Sequence, residues 1–154
     1  MEDFLQPRTH TLTIWSNFNR RPKKLFFENQ ICVYSGNETF RMVSPIFRKN
    51  IYVGVFEKLP PTASPIDFFN IDYDHFPFAK QVNFLEVTLE AGDCLYVPAY
   101  YYIQSKTVGL QGSTPIETIM IARTYESHSA FVDLMLEGLE KEIMTDDGMH
   151  QYDK

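Results

Sequence analysis

The chain has 154 residues, of which 44% are hydrophobic, and this length and composition suit one domain with a single sizeable core. Its formal net charge is -6, which excludes nucleic acid as the main partner because phosphate binding needs a basic face. A short basic cluster at residues 20–24 is expected to be a solvated loop. There is no apolar run of 18 residues, so no membrane span is predicted. We therefore expect one acidic globular domain over residues 1–154.

Strand patterns fill the first part of the chain. THTLTIW, Thr9–Trp15, alternates threonine with larger residues as a β-strand does. In QICVYSGNETFRMVSP two apolar arms flank Ser35-Gly36-Asn37-Glu38, and a Gly-Asn centre of this kind predicts a β-hairpin. The alternation in Asn50–Lys58 predicts another strand.

The middle of the chain is different, because a stretch at about 59–81 contains four prolines and has no regular period. It is expected to be a long irregular crossover that packs through its phenylalanines. Strand patterns resume in NFLEVTLEAGDCLYVP, YYYIQSKT and ETIMIARTY. Seven or eight strands separated by turns predict a sandwich, jelly roll or barrel.

The end of the chain changes period. Apolar residues three and four positions apart predict one C-terminal α-helix at about 127–144. Two further apolar residues, Val132 and Leu136, widen its apolar face beyond the stripe that begins at Phe131. The helix is expected either to cover one sheet or to mediate association.

Cys32 and Cys94 both lie in apolar, strand-like runs and are expected to be buried free thiols. The N-terminal residues lack the apolar core of a signal peptide. With neither a signal peptide nor a disulfide framework, the sequence favours an intracellular protein.

Two stretches together resemble the JmjC/cupin-8 branch of the Fe(II)- and 2-oxoglutarate-dependent oxygenases. ENQICVYSGNETFRMVSP is similar to that family's asparagine, strand, Ser-Gly turn, second strand and proline. LEAGDCLYVPAYYYIQS is similar to its Gly-Asp, strand, proline and aromatic phrase. The similarity covers roughly residues 10 to 125, and it implies a double-stranded β-helix, also called a jelly roll, in agreement with the strand count.

The family's chemistry uses a His-x-Asp pair and a distant histidine as iron ligands, and a cation that holds 2-oxoglutarate. The resemblance places Lys23 and Leu25 at the pair and Ile103 at the distant histidine. It places Glu38 at the position of the cation. This reverses the charge there, and the carboxylate would repel the co-substrate. The sequence therefore predicts a pseudo-oxygenase rather than an enzyme, with no catalytic residue, no metal and no cofactor.

Two alternatives remain open. One is an active Fe(II)/2-oxoglutarate-dependent hydroxylase or demethylase with atypical ligands. For it the sequence offers Asp72, Asp74 and His75, which also fit a solvated acidic loop.

The other alternative is a small-ligand-binding cupin in which Glu38 and the run Tyr100, Tyr101, Tyr102 line a pocket. It predicts an open, polar barrel mouth. A scaffold predicts a mouth filled by Tyr101 and Ile103.

We expect an all-β double-stranded β-helix with one C-terminal helix that acts as a non-catalytic structural or protein-interaction subunit of a larger assembly. The expected partners are other protein subunits, or a second copy bound through the C-terminal helix or an open sheet edge. The candidate interaction or pocket residues are Tyr100, Tyr101, Tyr102, Phe131, Val132 and Leu136.

Overall fold

The computed structural model describes residues 5–16, 20–56, 59–60, 62–107 and 117–127. Within these ranges the chain is almost entirely β-structure, with two 3-10 helices at Pro45–Phe47 and Pro77–Gln81. The described strands are β1 Leu5–Ser16, β2 Lys23–Lys24, β3 Glu28–Ser35, β4 Asn37–Val43, β5 Leu85–Glu90, β6 Cys94–Val97, β7 Tyr102–Thr107 and β8 Glu117–Ser127.

The strands form two four-stranded antiparallel sheets. The first sheet has the order β1-β8-β3-β6 and the second has the order β2-β7-β4-β5. The prediction of an all-β fold is confirmed, and this topology is consistent with a jelly roll. The helix predicted at about 127–144 lies beyond β8, outside the described residues.

The chain changes sheets where the sequence predicts a hairpin. That prediction is wrong, because β3 and β4 flank Gly36 but belong to different sheets. Gly36 has φ 75°, and the chain changes sheets again at Gly92, where φ is 102°. A glycine with positive φ can form a corner between two sheets as well as a tight hairpin turn. The local sequence pattern is therefore the same for both.

The strand predicted at Asn50–Lys58 does not form in the described part of that range, residues 50–56. Residues 50–54 form turns, in which Tyr52 and Gly54 have φ of 57° and 78°. Such values are incompatible with a pleated strand. The alternating apolar residues are nevertheless buried, since Ile51 and Val53 pack beneath the second sheet.

Two apolar clusters hold the fold together. The first lies between the sheets and includes Ile31 and Met120 from one sheet and Phe40 and Ile103 from the other. The second lies on the opposite face of the second sheet, where the irregular segment between β4 and β5 packs. The crossover therefore covers one sheet through its apolar side chains, among them Ile51, Val53, Ile66, Phe68 and Ala79.

The two cysteines are not free thiols, which corrects the expectation from sequence. Cys32 and Cys94 are register partners on β3 and β6 and form a disulfide, with their Cα atoms 4.1 Å apart. Cys94 is also exposed rather than buried. Because this disulfide forms, the expected lack of disulfides no longer supports an intracellular protein. The compartment stays a prediction.

Candidate ligand cavity

A cavity of about 360 Å³ opens between the two sheets at the end where β1 and β2 lie. On β1 the residues Thr9, Thr11 and Thr13 line it, because side chains on a strand alternate between faces. Thr9 and Thr11 are exposed, and Thr13 is half-buried. One wall of the cavity is therefore a row of hydroxyl groups that can donate or accept hydrogen bonds.

The floor next to this wall carries a fixed amide. Asn29 on β3 is buried, its side-chain nitrogen donates to the Phe27 carbonyl over 2.9 Å, and its side-chain oxygen accepts from the Thr124 hydroxyl over 3.2 Å. Both Asn29 and Thr124 line the cavity. These bonds fix the orientation of the amide, so this part of the site is formed before any ligand arrives.

The opposite wall is the segment from Arg20 to Phe27, which is held against β7 by its backbone. The N–H of Arg20 donates to the Ser105 carbonyl over 3.0 Å, and the N–H of Leu25 donates to the Tyr101 carbonyl over 2.9 Å. Pro22 and Lys24 are buried. The expectation of a solvated loop is therefore wrong for Pro22 and Lys24, whereas Arg21 and Lys23 are exposed to solvent at the cavity.

Four basic side chains line the cavity, and no aspartate or glutamate stands among its described lining residues. Partial burial lowers the pKa of Lys23, and the like charge of Arg20 lowers it further. Burial also lowers the pKa of Arg20, whereas the Glu38 carboxylate opposes that shift. The basic residues are Arg20, Arg21, Lys23 and Lys24.

Glu38 does not line the cavity but lies in the protein interior next to it. Its side chain is fully buried on β4, and the Thr107 hydroxyl donates to its Oε2 over 3.0 Å. Through its charge it also acts on Arg20. Glu38 stands where the resemblance implies a cation. In this chain its negative charge offsets part of the positive charge of Arg20.

The structure brings together the three residues that the resemblance places at the iron ligands. Lys23 and Ile103 are register partners on β2 and β7, and Leu25 follows two residues later; all three line the cavity. Leu25 and Ile103 are buried in the core cluster between the sheets.

The described residues at this place do not fit an iron ion. Alkyl side chains have no donor atom, and an ammonium group has no lone pair. Across the described parts of the chain, no group of three His, Cys, Asp or Glu residues is placed to hold a metal. We therefore derive no reaction step through iron or 2-oxoglutarate.

None of the three consecutive tyrosines lines the cavity. Tyr100 is buried with φ 66°, and the ammonium of Lys24 is 4.7 Å from its ring centroid. Tyr101 packs against the core between the sheets, and Tyr102 is buried in the cluster under the crossover. Although Tyr101 and Ile103 are packed, the mouth beside them is open.

The Asp72, Asp74 and His75 cluster lies elsewhere. It forms an exposed turn of the crossover, in which the Nδ1 of His75 is 2.6 Å from the Oδ2 of Asp72. Hydrogen bonds from the backbone and ring of His75 lower the pKa of Asp72. These residues bond with each other and do not line the cavity.

Three of the predicted interaction residues, Phe131, Val132 and Leu136, lie outside the described part of the chain. No helix that the structure describes is long and apolar enough to cross a membrane.

Sequence reasoning missed the threonine row and the role of the basic cluster. The signals were available, since Thr9, Thr11 and Thr13 alternate along one strand face, and residues 20–24 concentrate positive charge in an acidic chain.

Curated relatives share part of this chain. A JmjC domain-containing protein D from Dictyostelium discoideum is 32% identical over 74 residues, which cover 48% of this chain and 16% of that protein. A lysine-specific demethylase from Arabidopsis thaliana is 30% identical over 80 residues, or 51% of this chain and 18% of that protein. Among solved structures, a ribosomal oxygenase from Escherichia coli aligns with a TM-score of 0.43 and 9% identity, covering 96% of this chain and 30% of that one.

The prediction that the protein is not an enzyme is wrong in the light of these relatives. The similarity to a lysine-specific demethylase points to an enzyme, although the relationship is distant and partial. The chain spans about a fifth or less of the length of either curated relative.

The family itself is shown by a match over most of the chain. Residues 2–128 match the family model of the cupin-like domain. This range includes all eight described strands and every described residue that lines the cavity. The JmjC relatives agree with the match and with the sequence resemblance. The chain belongs to the cupin-like domain family.

Proposed function

We propose that the protein binds a small molecule in the cavity between its two sheets. The observation that carries the proposal is the open mouth of about 360 Å³, which lies within the size range of small-molecule sites. A filled mouth would have favoured a scaffold instead. The proposal concerns binding, and we assign no reaction to the bound molecule.

The composition of the walls supports this proposal. Apolar side chains such as Ile31, Phe40 and Met120 form part of the lining and offer area that a ligand can bury. The threonine row and the amide of Asn29 add polar groups that fix an orientation. A mostly apolar cavity with a few placed polar groups is the usual composition of a ligand site.

The test fills the cavity from one strand of the first sheet. Ala122 on β8 lines the cavity, and its neighbour Ile121 belongs to the opposite face of the same strand. We expect Ala122→Phe to weaken binding by about tenfold or more, which corresponds to about 1.4 kcal/mol. Ile121→Phe is the matched control and should bind as the wild type does.

The measurement is calorimetric titration after a thermal-shift screen of small acids, amides, alcohols and sugars against the wild-type chain. Equal affinity of the wild type and Ala122→Phe for every hit would place binding elsewhere and overturn the proposal. A screen without any saturable ligand would overturn it as well.

A second candidate is the predicted interaction role, in the form of association between two copies of this chain. The observation that favours it is the outer face of the first sheet, where Leu12 and Ile14 are 61% and 56% exposed and Tyr34 and Tyr96 are 56% and 54% exposed. This apolar face continues from β1 to β8, because Leu12 on β1 is the register partner of Ile121 on β8.

A second copy suits this face because the apolar residues are spread over a sheet, and two sheets pack well face to face. A two-fold axis would bring the same apolar patch of both copies together. In addition, β1 pairs with β8 alone among the described strands and so forms an edge of its sheet.

The oligomeric state tests this second candidate. We expect the wild type to be a dimer by sedimentation equilibrium, and the double variant Leu12→Asp, Ile14→Asp to be a monomer because two charges would be buried in the interface. Ile46→Asp changes a residue that is 76% exposed outside both sheets and should leave the dimer intact. A monomeric wild type at every concentration would exclude this candidate.

A further inference from the structure

We propose that the cavity recognises an anionic group, a carboxylate or a phosphate, and that Lys23 is a residue that binds it without the help of a metal ion. This inference rests on the proposed function and specifies the class of its ligand.

The first observation is the sign of the charges around the cavity. Its described lining includes four basic side chains and no acid, in a chain whose formal net charge is -6. No acid stands among the described lining residues, although Glu38 lies next to the cavity and acts on Arg20. The lining therefore concentrates positive charge between low-dielectric walls. Such an arrangement attracts anions and raises their local concentration.

The second observation is the position of Lys23 within that cluster. Burial and the positive charge of Arg20 both lower its pKa, so its charged form is disfavoured in the absence of a ligand. A bound anion would offset both effects, because an opposite charge nearby favours the ammonium form. The attraction between the anion and the ammonium of Lys23 therefore contributes to the affinity for an anion. A neutral molecule gains no comparable contribution.

The third observation is the disagreement with the metal site that the resemblance implies. Lys23 stands opposite Ile103, at the place where that resemblance puts iron ligands. An ammonium cannot bind a cation, but it supplies a positive charge and three hydrogen-bond donors of its own. A side chain thus provides the positive charge at this place, so an anion can be held here with no metal present.

The remaining groups fit an anion of organic type. The backbone of Arg20 is fixed to Ser105, and the charge of Arg20 is balanced in part by Glu38, which leaves the positive charge of Lys23 for a ligand. The threonine hydroxyls on the opposite wall can accept or donate to neutral parts of the molecule. The arrangement suits a small acid that also carries hydroxyl or carbonyl groups.

The experiment compares anions with their neutral isosteres in the presence of EDTA. Succinate and inorganic phosphate represent the two sources of negative charge, and succinamide is the neutral counterpart of succinate. We expect at least one of the anions to bind, and succinamide to bind about tenfold more weakly than succinate if succinate is the preferred ion. Affinity should fall as salt is added, since screening weakens charge attraction.

Variants test whether Lys23 is the residue that binds the anion. Lys23→Gln should reduce anion affinity by about tenfold, and Lys23→Arg should retain most of it because the charge remains. Lys49→Gln removes an exposed charge far from the cavity lining and serves as the matched control. The cooperative unfolding of each variant is measured first, so that a folding defect is not scored as lost binding.

The outcomes separate this inference from the proposed function. If neutral ligands bind in the cavity as well as anions do, or if Lys23→Gln binds anions normally, the inference fails while the ligand cavity stands. Anion binding that requires a divalent metal also overturns it. If no molecule of either kind binds, both proposals fail.

Discussion

Lys23 is exposed to solvent, yet its pKa is lowered by partial desolvation and by the like charge of Arg20, and this has a consequence for stability. Its lowered pKa means that the unfolded chain binds more protons than the folded chain between the lowered and the ordinary value. Stability should therefore rise with pH through that window, and the full cost of burying the charge is present below it. The charged groups around it are Arg20, Arg21 and Lys24 on the same segment and Glu38 on β4.

We predict that Lys23→Gln raises the free energy of unfolding only slightly, by about 0.3 kcal/mol or less at neutral pH, because Lys23 is exposed and solvent screens the penalty on its ammonium. The variant should also lose the rise in stability at alkaline pH. Urea unfolding of wild type and variant across this pH range measures both effects, with Lys49→Gln as control. An unchanged pH profile in Lys23→Gln would contradict the assignment.

Glu38 is the second residue whose charge is part of the fold. Its buried carboxylate accepts from Thr107 and favours the charged form of Arg20. We predict that Glu38→Gln lowers the free energy of unfolding by about 1–3 kcal/mol, the cost of weakening bonds to a buried group. In the same denaturant assay Glu86→Gln should cost about 1 kcal/mol or less, because its pair with Arg41 is exposed.

At the scale of elements, side chains of the second sheet fix the crossover: Arg41 on β4 donates to the Phe68 carbonyl, and Gln104 on β7 makes two further bonds. Gln104 on β7 is buried; its oxygen accepts from the Phe68 N–H over 2.6 Å, and its nitrogen donates to the Asp67 carboxylate over 2.7 Å. These two bonds hold the crossover next to the apolar cluster that it covers.

We predict that Gln104→Leu destabilises the protein by about 2–3 kcal/mol, since it leaves the buried Phe68 N–H without this acceptor. Hydrogen exchange in residues 62–84 should accelerate more than exchange in β3. Asn50→Ala removes exposed hydrogen bonds of the same crossover and is expected to change stability by about 0.5 kcal/mol or less. Uniform acceleration in both regions would refute a local anchoring role.

The same scale shows which elements were predictable. Strand β1 follows from local alternation, which an exposed or half-buried strand imposes on its sequence. Strands β4 and β7 are buried on both faces and show no such alternation in their burial. The Asn50–Lys58 alternation was misleading because apolar residues in successive turns can also reach a core. The corner at Gly36 could not be distinguished from a hairpin, because the partner of each arm lies on a distant strand.

At the scale of the whole molecule, the disulfide joins strands that are 62 residues apart. We predict that the double variant Cys32→Ser, Cys94→Ser lowers the free energy of unfolding by about 2–4 kcal/mol, because a closed loop of this length restricts the unfolded chain. Reductant should lower the stability of the wild type similarly and leave the double variant unchanged. Equal stability of oxidised and reduced wild type would contradict this.

The cavity is also a property of the whole molecule. Its walls come from β1, the segment at residues 20–27, β3, β4, β7 and β8, which only the closed pair of sheets brings together. The resemblance places Lys23, Leu25 and Ile103 at one site, and in the structure Lys23 and Ile103 are register partners on neighbouring strands.

The sequence by itself determined the all-β class and the family, because strand alternation and the two family-like phrases are local patterns that the chain carries in its residues. Only the tertiary structure decided the disulfide, the corner at Gly36 and the open basic cavity. Each of these depends on distances between residues that are far apart in sequence, and packing between the two sheets sets those distances.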